Sequence, residues 1–262
     1  MENIDNFLIE VIRERACDLV VLAEYGESIS KLCEKINAVS ESDYKPIPNN
    51  NGCDRIKGLI KSKYRIVSIQ EQARYQIVMI ETTLYKLLIG MIHNLSKLDY
   101  SERSQEALLN HFNYDLCEAE KSQDSNNTMV LGDFNVDPFE PACIAANTLH
   151  AIPFVEEVET LARVVSGIEY HKFYNPTWKL MGRKDIPYAT CYYNKSDIVN
   201  YYWHMFDQVI IRPQLIPAFQ EDSLTIIEKS TSHNLLMNKK PNSKNYSDHL
   251  PLFYKLKEEK IP

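Results

Sequence analysis

Thr128-Met129-Val130-Leu131-Gly132-Asp133-Phe134-Asn135 is the stretch that decides how this chain is read. Thr128 to Leu131 is a short apolar run of the kind that makes a buried strand, and Gly132 breaks it. Asp133 then falls where strand meets loop, followed by Asn135 and the turn-forming pair Asp137-Pro138. The ends of strands are where a layered sheet gathers side chains from distant sequence around one cleft. An acid at such a place is a candidate for chemistry as well as for an ordinary turn.

Working outward, the segments on both sides repeat the theme. Upstream, Tyr64 to Ser68, Tyr75 to Thr82 and Leu84 to Ile92 read as successive strands, residues 102 to 121 as a helix, and Asp124 to Asn127 as a polar turn. Nearer the N-terminus, Asp18 to Glu24 is a run of β-formers ending in a carboxylate. It lies between two amphipathic helices, one marked by Ile4, Phe7, Leu8, Val11 and Ile12, the other by Ile29, Leu32, Cys33, Ile36 and Val39. Lys45 to Asp54, with two Pro, three Asn in a row and a Gly, must be a loop. Downstream, the aromatic stretch His171 to Tyr202 is broken by Pro176, Gly182 and Pro187 and reads as long loops and short strands. Met205 to Ile211 and Pro251 to Leu256 complete the strand set. Alternating helices and strands predict a layered α/β protein, and no linker-like composition divides residues 1–262, so one domain is expected.

A chain of 262 residues can bury a core without disulfides or structural metals. Its cysteines are scattered, with no C-x-x-C pair and no zinc-finger spacing. The first ten residues carry three acids and no basic residue, unlike a signal peptide, and no apolar run approaches a bilayer span. A cytoplasmic protein without a membrane span is the expectation. The net charge of −7 supplies no general attraction to a polyanion, which weighs against tight non-specific binding of long duplexes. It does not exclude a nuclease, because clustered active-site carboxylates carry negative charge that a bound cation offsets.

Four acids share one setting: Glu24, Asp133, Asp207 and Asp248 each sit where an apolar strand meets a loop. A hard cation such as Mg²⁺ takes oxygen ligands and keeps several waters, so one or two carboxylates suffice to hold it. The other acids are then free to orient a water or a histidine. Singly, Glu24 and Asp207 suit solvated turns, and Ser247-Asp248-His249 suits a surface Asp–His pair. Gly132-Asp-Phe-Asn135 directly after a buried strand is much rarer than a generic turn.

Together, Leu22-Ala-Glu24, Gly132-Asp-Phe-Asn135, Phe206-Asp207-Gln-Val-Ile and Ser247-Asp-His-Leu-Pro251 resemble, in order and rough spacing, the endonuclease/exonuclease/phosphatase superfamily. Met91-Ile-His93-Asn-Leu-Ser-Lys97 is similar to its strand-end histidine segment, and the resemblance spans residues 18 to 256. It implies an α/β fold like that of deoxyribonuclease I, a four-layer α-β-β-α sandwich of two packed mixed sheets flanked by helices. It implies a phosphoesterase dependent on Mg²⁺ or Mn²⁺, most simply a nuclease acting on nucleic acid. The alternatives are a phosphatase for small phosphorylated sugars, inositols or lipid headgroups, and a binding module without turnover. By this resemblance Glu24 is the main metal ligand, with Asp248 completing the metal environment. Asp133 positions or deprotonates the attacking water, and Asn135 holds that water or the phosphate. His249, partnered by Asp207, contacts the scissile phosphate, and His93 faces it across the cleft.

The resemblance is incomplete at one end. The superfamily begins with a central strand that carries an Asn near the metal, whereas here Met1 is followed almost at once by a helix. Either the start lies too late or the sheet tolerates a gap, and a late start is the reading favoured. The aromatic stretches His171 to Trp178 and Tyr192 to Trp203 offer faces on which unstacked bases pack, or else they fill their own loops. Lys172, Lys179, Arg183 and Lys184 are the nearby cations.

Overall fold

In a computed structural model describing residues 2–50, 52–194 and 198–257, the quoted strand is the middle one of a seven-stranded sheet. The strands used below are β1 (Leu19–Ala23), β2 (Tyr44–Pro46), β3 (Ile56–Lys61), β4 (Arg65–Gln72), β5 (Tyr75–Glu81) and β6 (Lys86–His93). They continue with β7 (Thr128–Asp133), β8 (Ala151–Ile152), β9 (Phe173–Tyr174), β10 (Asp207–Ile211), β11 (Phe219–Ile226) and β12 (Leu252–Leu256). The longer helices are α1 (Glu2–Arg15), α2 (Ile29–Asn37) and α3 (Glu102–Gln123).

The large sheet runs β4-β5-β6-β7-β10-β9-β8. Its β6–β7 and β8–β9 pairs are parallel and the others antiparallel, so it is mixed. Parallel neighbours need a long crossover, and α3 provides it between β6 and β7. Strand alternation then divides the core in two. Tyr75, Ile77, Met79, Leu88, Ile92 and Val130 face α3 and pack on its Leu109, Phe112 and Leu116. Gly90 belongs to this face because a Cβ there would come within 2.7 Å of the Phe112 ring.

The alternate residues Val78, Ile80, Ile89, Met91 and Met129 face the other way, into a second cluster with Leu59 and Ile60 of β3, Leu32 and Ile36 of α2, and Phe7 of α1. The order helix, sheet, sheet, helix is therefore the layering expected. Unlike the expected mixed sheet, the second layer is antiparallel wherever it pairs, and it comes in two pieces. One is β1-β3-β2 and the other β11-β12.

The loop expected over residues 45–54 is present apart from the end of β2, but β3 and β11 were not anticipated. Strand β3 carries Gly58 in its interior, where a Cβ would press on the Ile47 side chain at 2.7 Å. Its register with β1 is nonetheless regular. In β11 the pairing slips between Gln220 and Thr225, which destroys the period-two pattern that would have marked it as a strand. Among the described residues no helix is long and apolar enough to cross a membrane. Residues 195–197 of the aromatic stretch lie outside the described residues.

Candidate active site

Three adjacent strands end in register. His93, the last residue of β6, is paired with Asp133, the last of β7, and Asp133 is paired with Asp207, the first of β10. Opposed residues in a sheet point to the same face, so this register forms a row of imidazole, carboxylate and carboxylate across one end of the sheet. His249, on the loop before β12, meets the row: its Nδ1 lies 2.8 Å from Asp207 Oδ2. One donor atom from each of Asp133, Asp207 and His249 falls within 4.8 Å of the others.

The turn after β7 holds Asp133 rigidly. Gly132 has φ +138, and a Cβ there would collide with the Ile92 carbonyl oxygen, so only glycine fits. Asn135 takes a left-handed φ of 50, a conformation that Asn tolerates better than most residues. Its backbone N–H donates to Asp133 Oδ1 at 2.8 Å, and its Nδ2 to Asp133 Oδ2 at 2.9 Å and to the Asn94 carbonyl at 3.1 Å. Behind it, Gln105 Nε2 donates to the carbonyls of Leu95 and Asn135. Asn135 thus spends its amide on Asp133, and orients that carboxylate directly.

The remaining expected residues are placed less tightly. Glu24, with a positive φ of 53, stands at the end of β1 with its side chain 57% exposed and Arg55 Nη1 2.5 Å from its Oε1. His93 Nε2 is 3.6 Å from Asp133 and 3.7 Å from Glu24, so the two acids flank one ring. Asp248 is exposed and lines the same cleft, outside the Asp133–Asp207–His249 group.

Burial and charge set the protonation of this group. Loss of solvent pushes Asp133 up to about 7; the charges of Asp207 and Glu24 push the same way, against the pull of His249 and the Asn135 N–H. Burial disfavours the charged form of His249, but the Asp207 charge and hydrogen bond outweigh it and hold its pKa well above the usual histidine range. His93 goes the other way: burial is the main cause, aided by Arg74 and Arg55 against Glu24, and it falls to about 4. At neutral pH His93 is therefore an uncharged ring, and its contacts with Glu24 and Asp133 are not ion pairs. The two imidazoles of one cleft are assigned opposite states.

Comparison of the sequence with protein-family models and with curated proteins gives no match. Comparison of the structure with solved ones does. A truncated TDP2 from Caenorhabditis elegans superposes with a TM-score of 0.57 at 15% identity, over 96% of this chain and 88% of that one. An endonuclease/exonuclease/phosphatase family protein from Leptotrichia buccalis gives 0.52 at 14% identity, over 98% and 93%. The chain has the endonuclease/exonuclease/phosphatase fold. The 3' phosphatase NExo from Neisseria, bound to a product DNA hairpin, gives 0.54 at 12% identity, over 95% and 92%. Identities this low establish the fold and leave the activity to the site itself.

Some residues around the site carried no sequence signal. Arg55 and Arg74, which bear on Glu24 and His93, are cations in unremarkable settings. Asp137 looks like a turn residue, yet its carboxylate accepts from His204 Nδ1 and from the Met205 N–H, both at 2.7 Å, tying the turn to the segment that leads into β10. Of the nearby cations named from sequence, Lys172 is buried on the Glu157 carbonyl and Thr160, and Lys179 pairs with Glu221 and Asp222. Arg183 and Lys184 do not line the cleft. Tyr201 and Phe206 do line it, with Phe206 tilted against His249 at a centroid distance of 6.2 Å.

Proposed function

We propose that this protein hydrolyses phosphate esters, and that its substrate is a phosphodiester of nucleic acid. The observation that carries this reading is the gathering of Asp133, Asp207 and His249 at one end of the large sheet, with one donor atom of each within 4.8 Å of the others. A cationic His249 held by Asp207 stands beside a buried Asp133 whose pKa lies near neutrality. Phosphoester hydrolysis needs a group that neutralises the non-bridging oxygens and a group that takes a proton from the attacking water. His249 suits the first role, donating from Nε2 because Nδ1 is engaged by Asp207. Asp133 suits the second, poised to accept a proton near pH 7 and kept in place by Asn135. His93 is held neutral by burial and offers a hydrogen bond without charge between Glu24 and Asp133.

A divalent cation fits the donor set. The mutual repulsion of Asp133, Asp207 and Glu24 is part of what raises Asp133, and a cation among them would relieve it. Glu24 and Asp133 offer hard oxygen donors on one wall and Asp248 lies on the loop beyond, a set suited to Mg²⁺ or Mn²⁺. When bound, such an ion supplies Lewis-acid stabilisation of the phosphate and leaving oxygen. The Neisseria neighbour, a 3' phosphatase bound to a product DNA hairpin, favours a polynucleotide over a small ester.

The test is a hydrolysis screen over single- and double-stranded DNA, RNA and small phosphate esters, with Mg²⁺, Mn²⁺ or chelator, and His249→Ala alongside. Cation-dependent cleavage of an oligonucleotide that His249→Ala lacks is expected. Cleavage of small esters alone would transfer the assignment to a phosphatase, and absence of cation binding at millimolar concentration would leave a binding module.

A further inference from the structure

Residues 229–247, which lead into Asp248 and His249, carry Lys229, Lys239, Lys240 and Lys244 and no acid. They make an island of positive charge in a chain whose net charge is −7. Cations elsewhere, such as Arg55, Lys97, Lys179 and Arg212, are neutralised where they stand by Glu24, Glu140, Asp222 and Glu120. Lys239, Lys240 and Lys244 are exposed, and among the described residues none of the three is ion-paired with a carboxylate.

The fold brings these lysines to the edge of the site. Leu236–Met237 and Lys240–Pro241 form a hairpin, with Asn238 and Lys239 as its two-residue turn. Both turn residues have positive φ, 53 and 63, as a hairpin this tight requires. Glycine is the usual occupant of the second place, so the turn keeps a cation at its tip despite local strain. The hairpin packs beside Cys191 and Tyr192, and Lys240 Nζ stands 4.2 Å from the centre of the Tyr192 ring. Tyr192 lines the cleft, and Cys191 is bridged through its backbone to His249. Beyond the hairpin, buried Asn242 donates its N–H to the Leu235 carbonyl at 2.7 Å and accepts from the Tyr246 N–H at 2.9 Å. These bonds fix the turn that carries Lys244, and Ser243 and Ser247 on either side of it line the cleft.

We propose that Lys239, Lys240 and Lys244 form a rail for the sugar–phosphate backbone of a polynucleotide whose scissile phosphate lies at His249. The proposal rests on the phosphoesterase reading of the cleft and adds the contact that selects a polymer over a small ester. Ammonium groups without counter-carboxylates bind successive phosphates by displacing counterions, and they read no base. Long flexible stems suit a backbone whose phosphates vary in position. The net charge gives no general attraction to such a polymer, so a local patch beside the site has to supply it. A lipid surface fits less well, because Met237 is the one large apolar side chain exposed among residues 229–247.

The test follows binding of a fluorescein-labelled single-stranded oligothymidylate by anisotropy, in chelator, between about 50 and 200 mM KCl. The parent is compared with Lys239→Gln/Lys240→Gln/Lys244→Gln and with the triple variant carrying arginine at the same places. At roughly 0.7 counterions released per phosphate contact on a single strand, the glutamine variant is expected to lower the slope of log K against log salt by about two. Its affinity at the lowest salt is expected to fall about a hundredfold. The arginine variant is expected to keep the parent's slope, and equal melting temperatures would show that charge alone has changed. An unchanged slope in the glutamine variant, with the parent binding the strand, would overturn the rail and leave the nucleic-acid reading standing. Equal loss in the arginine variant would overturn charge as the cause. A parent that binds no oligonucleotide, and hydrolyses only small esters when cation is present, would overturn the substrate reading and the rail with it. Lysine-dependent sedimentation with phosphatidylserine–phosphatidylcholine vesicles, without a lysine effect on the oligonucleotide, would assign the patch to an anionic membrane instead.

Discussion

His249 donates from Nδ1 to Asp207 Oδ2 at 2.8 Å, and Asp207 is itself the sheet partner of Asp133. The acid that holds the imidazole and the acid proposed to accept the water proton are thus fixed by a single strand pairing. Asp207 keeps His249 charged, because its charge and hydrogen bond outweigh the effect of burial. Replacing it by Asn retains the shape and removes the countercharge, so the imidazolium is lost at lower pH than in the parent. Asp207→Asn is expected to be far more impaired at pH 8 than at pH 6, and His249→Ala to lose roughly 10²–10⁴-fold at both. A pH–rate profile checks this, and parallel profiles for parent and Asp207→Asn would count against the pairing as the source of the charge.

Asp133 works against the stability of the metal-free fold. Burial lifts its pKa to about 7, above the 3.8 of a free aspartate, so the folded state holds a proton that the unfolded state releases. The contribution is fully present below about 3.8 and is lost as pH rises through about 7. Asp133→Asn removes the titration, although its amide fits less well against Asn135 Nδ2. The variant is expected to be more stable than the parent at pH 8 without cation, on the order of 1–2 kcal/mol, with no such advantage at pH 4. Denaturant melts at the two pH values decide it, and saturating Mg²⁺ should narrow the gap by favouring the parent alone.

What the sequence discloses of this site follows from how each residue is tied to its strand. Asp133, Asp207 and His93 were legible because each ends or opens a short apolar run, and sheet register carries strand ends to one place. His249 was legible through its Ser-Asp-His setting. The hydrogen bonding of Asn135 was not, since it takes the left-handed turn to set its amide on Asp133 and Asn94. Glu24 reaches the row only through His93, because Arg55 and solvent share its carboxylate. In the fold, β5 and β6 of the large sheet announce themselves by continuous burial on both faces. The bulged β11 and the glycine-bearing β3 do not, because a register slip and a missing side chain erase the periodicity that a sequence reader counts.

Gly132 gives the sharpest steric prediction. Its φ of +138 lies in a region that L-residues rarely adopt, and the neighbouring strand's Ile92 carbonyl occupies the place of a Cβ. Neither the carbonyl nor the turn can move without breaking the β6–β7 pairing that aligns His93 with Asp133. Gly132→Ala is expected to destabilise by about 3–5 kcal/mol and to yield mostly insoluble protein. Recovery of a soluble variant with the parent's melting temperature would mean that the turn is looser than its geometry indicates.

A charged pair far from the cleft offers a test of the fold alone. Arg212, just after β10, is 3% exposed and binds Glu120 of α3 through Nε at 2.8 Å and Nη2 at 3.0 Å. Its guanidinium also stacks 3.8 Å from the centre of the Phe173 ring and donates to the Lys172 carbonyl. A buried pair of this kind contributes little against a well-packed apolar replacement, but removing one partner strands the other charge. Arg212→Met alone is expected to destabilise by about 3–5 kcal/mol, because Glu120 is then buried without a countercharge. Combining it with Glu120→Gln should restore more than half of that loss, giving a coupling energy of the order of 2 kcal/mol in a double-mutant cycle. Additive losses in the double variant would show that stacking on Phe173, rather than the ion pair, is what Arg212 contributes.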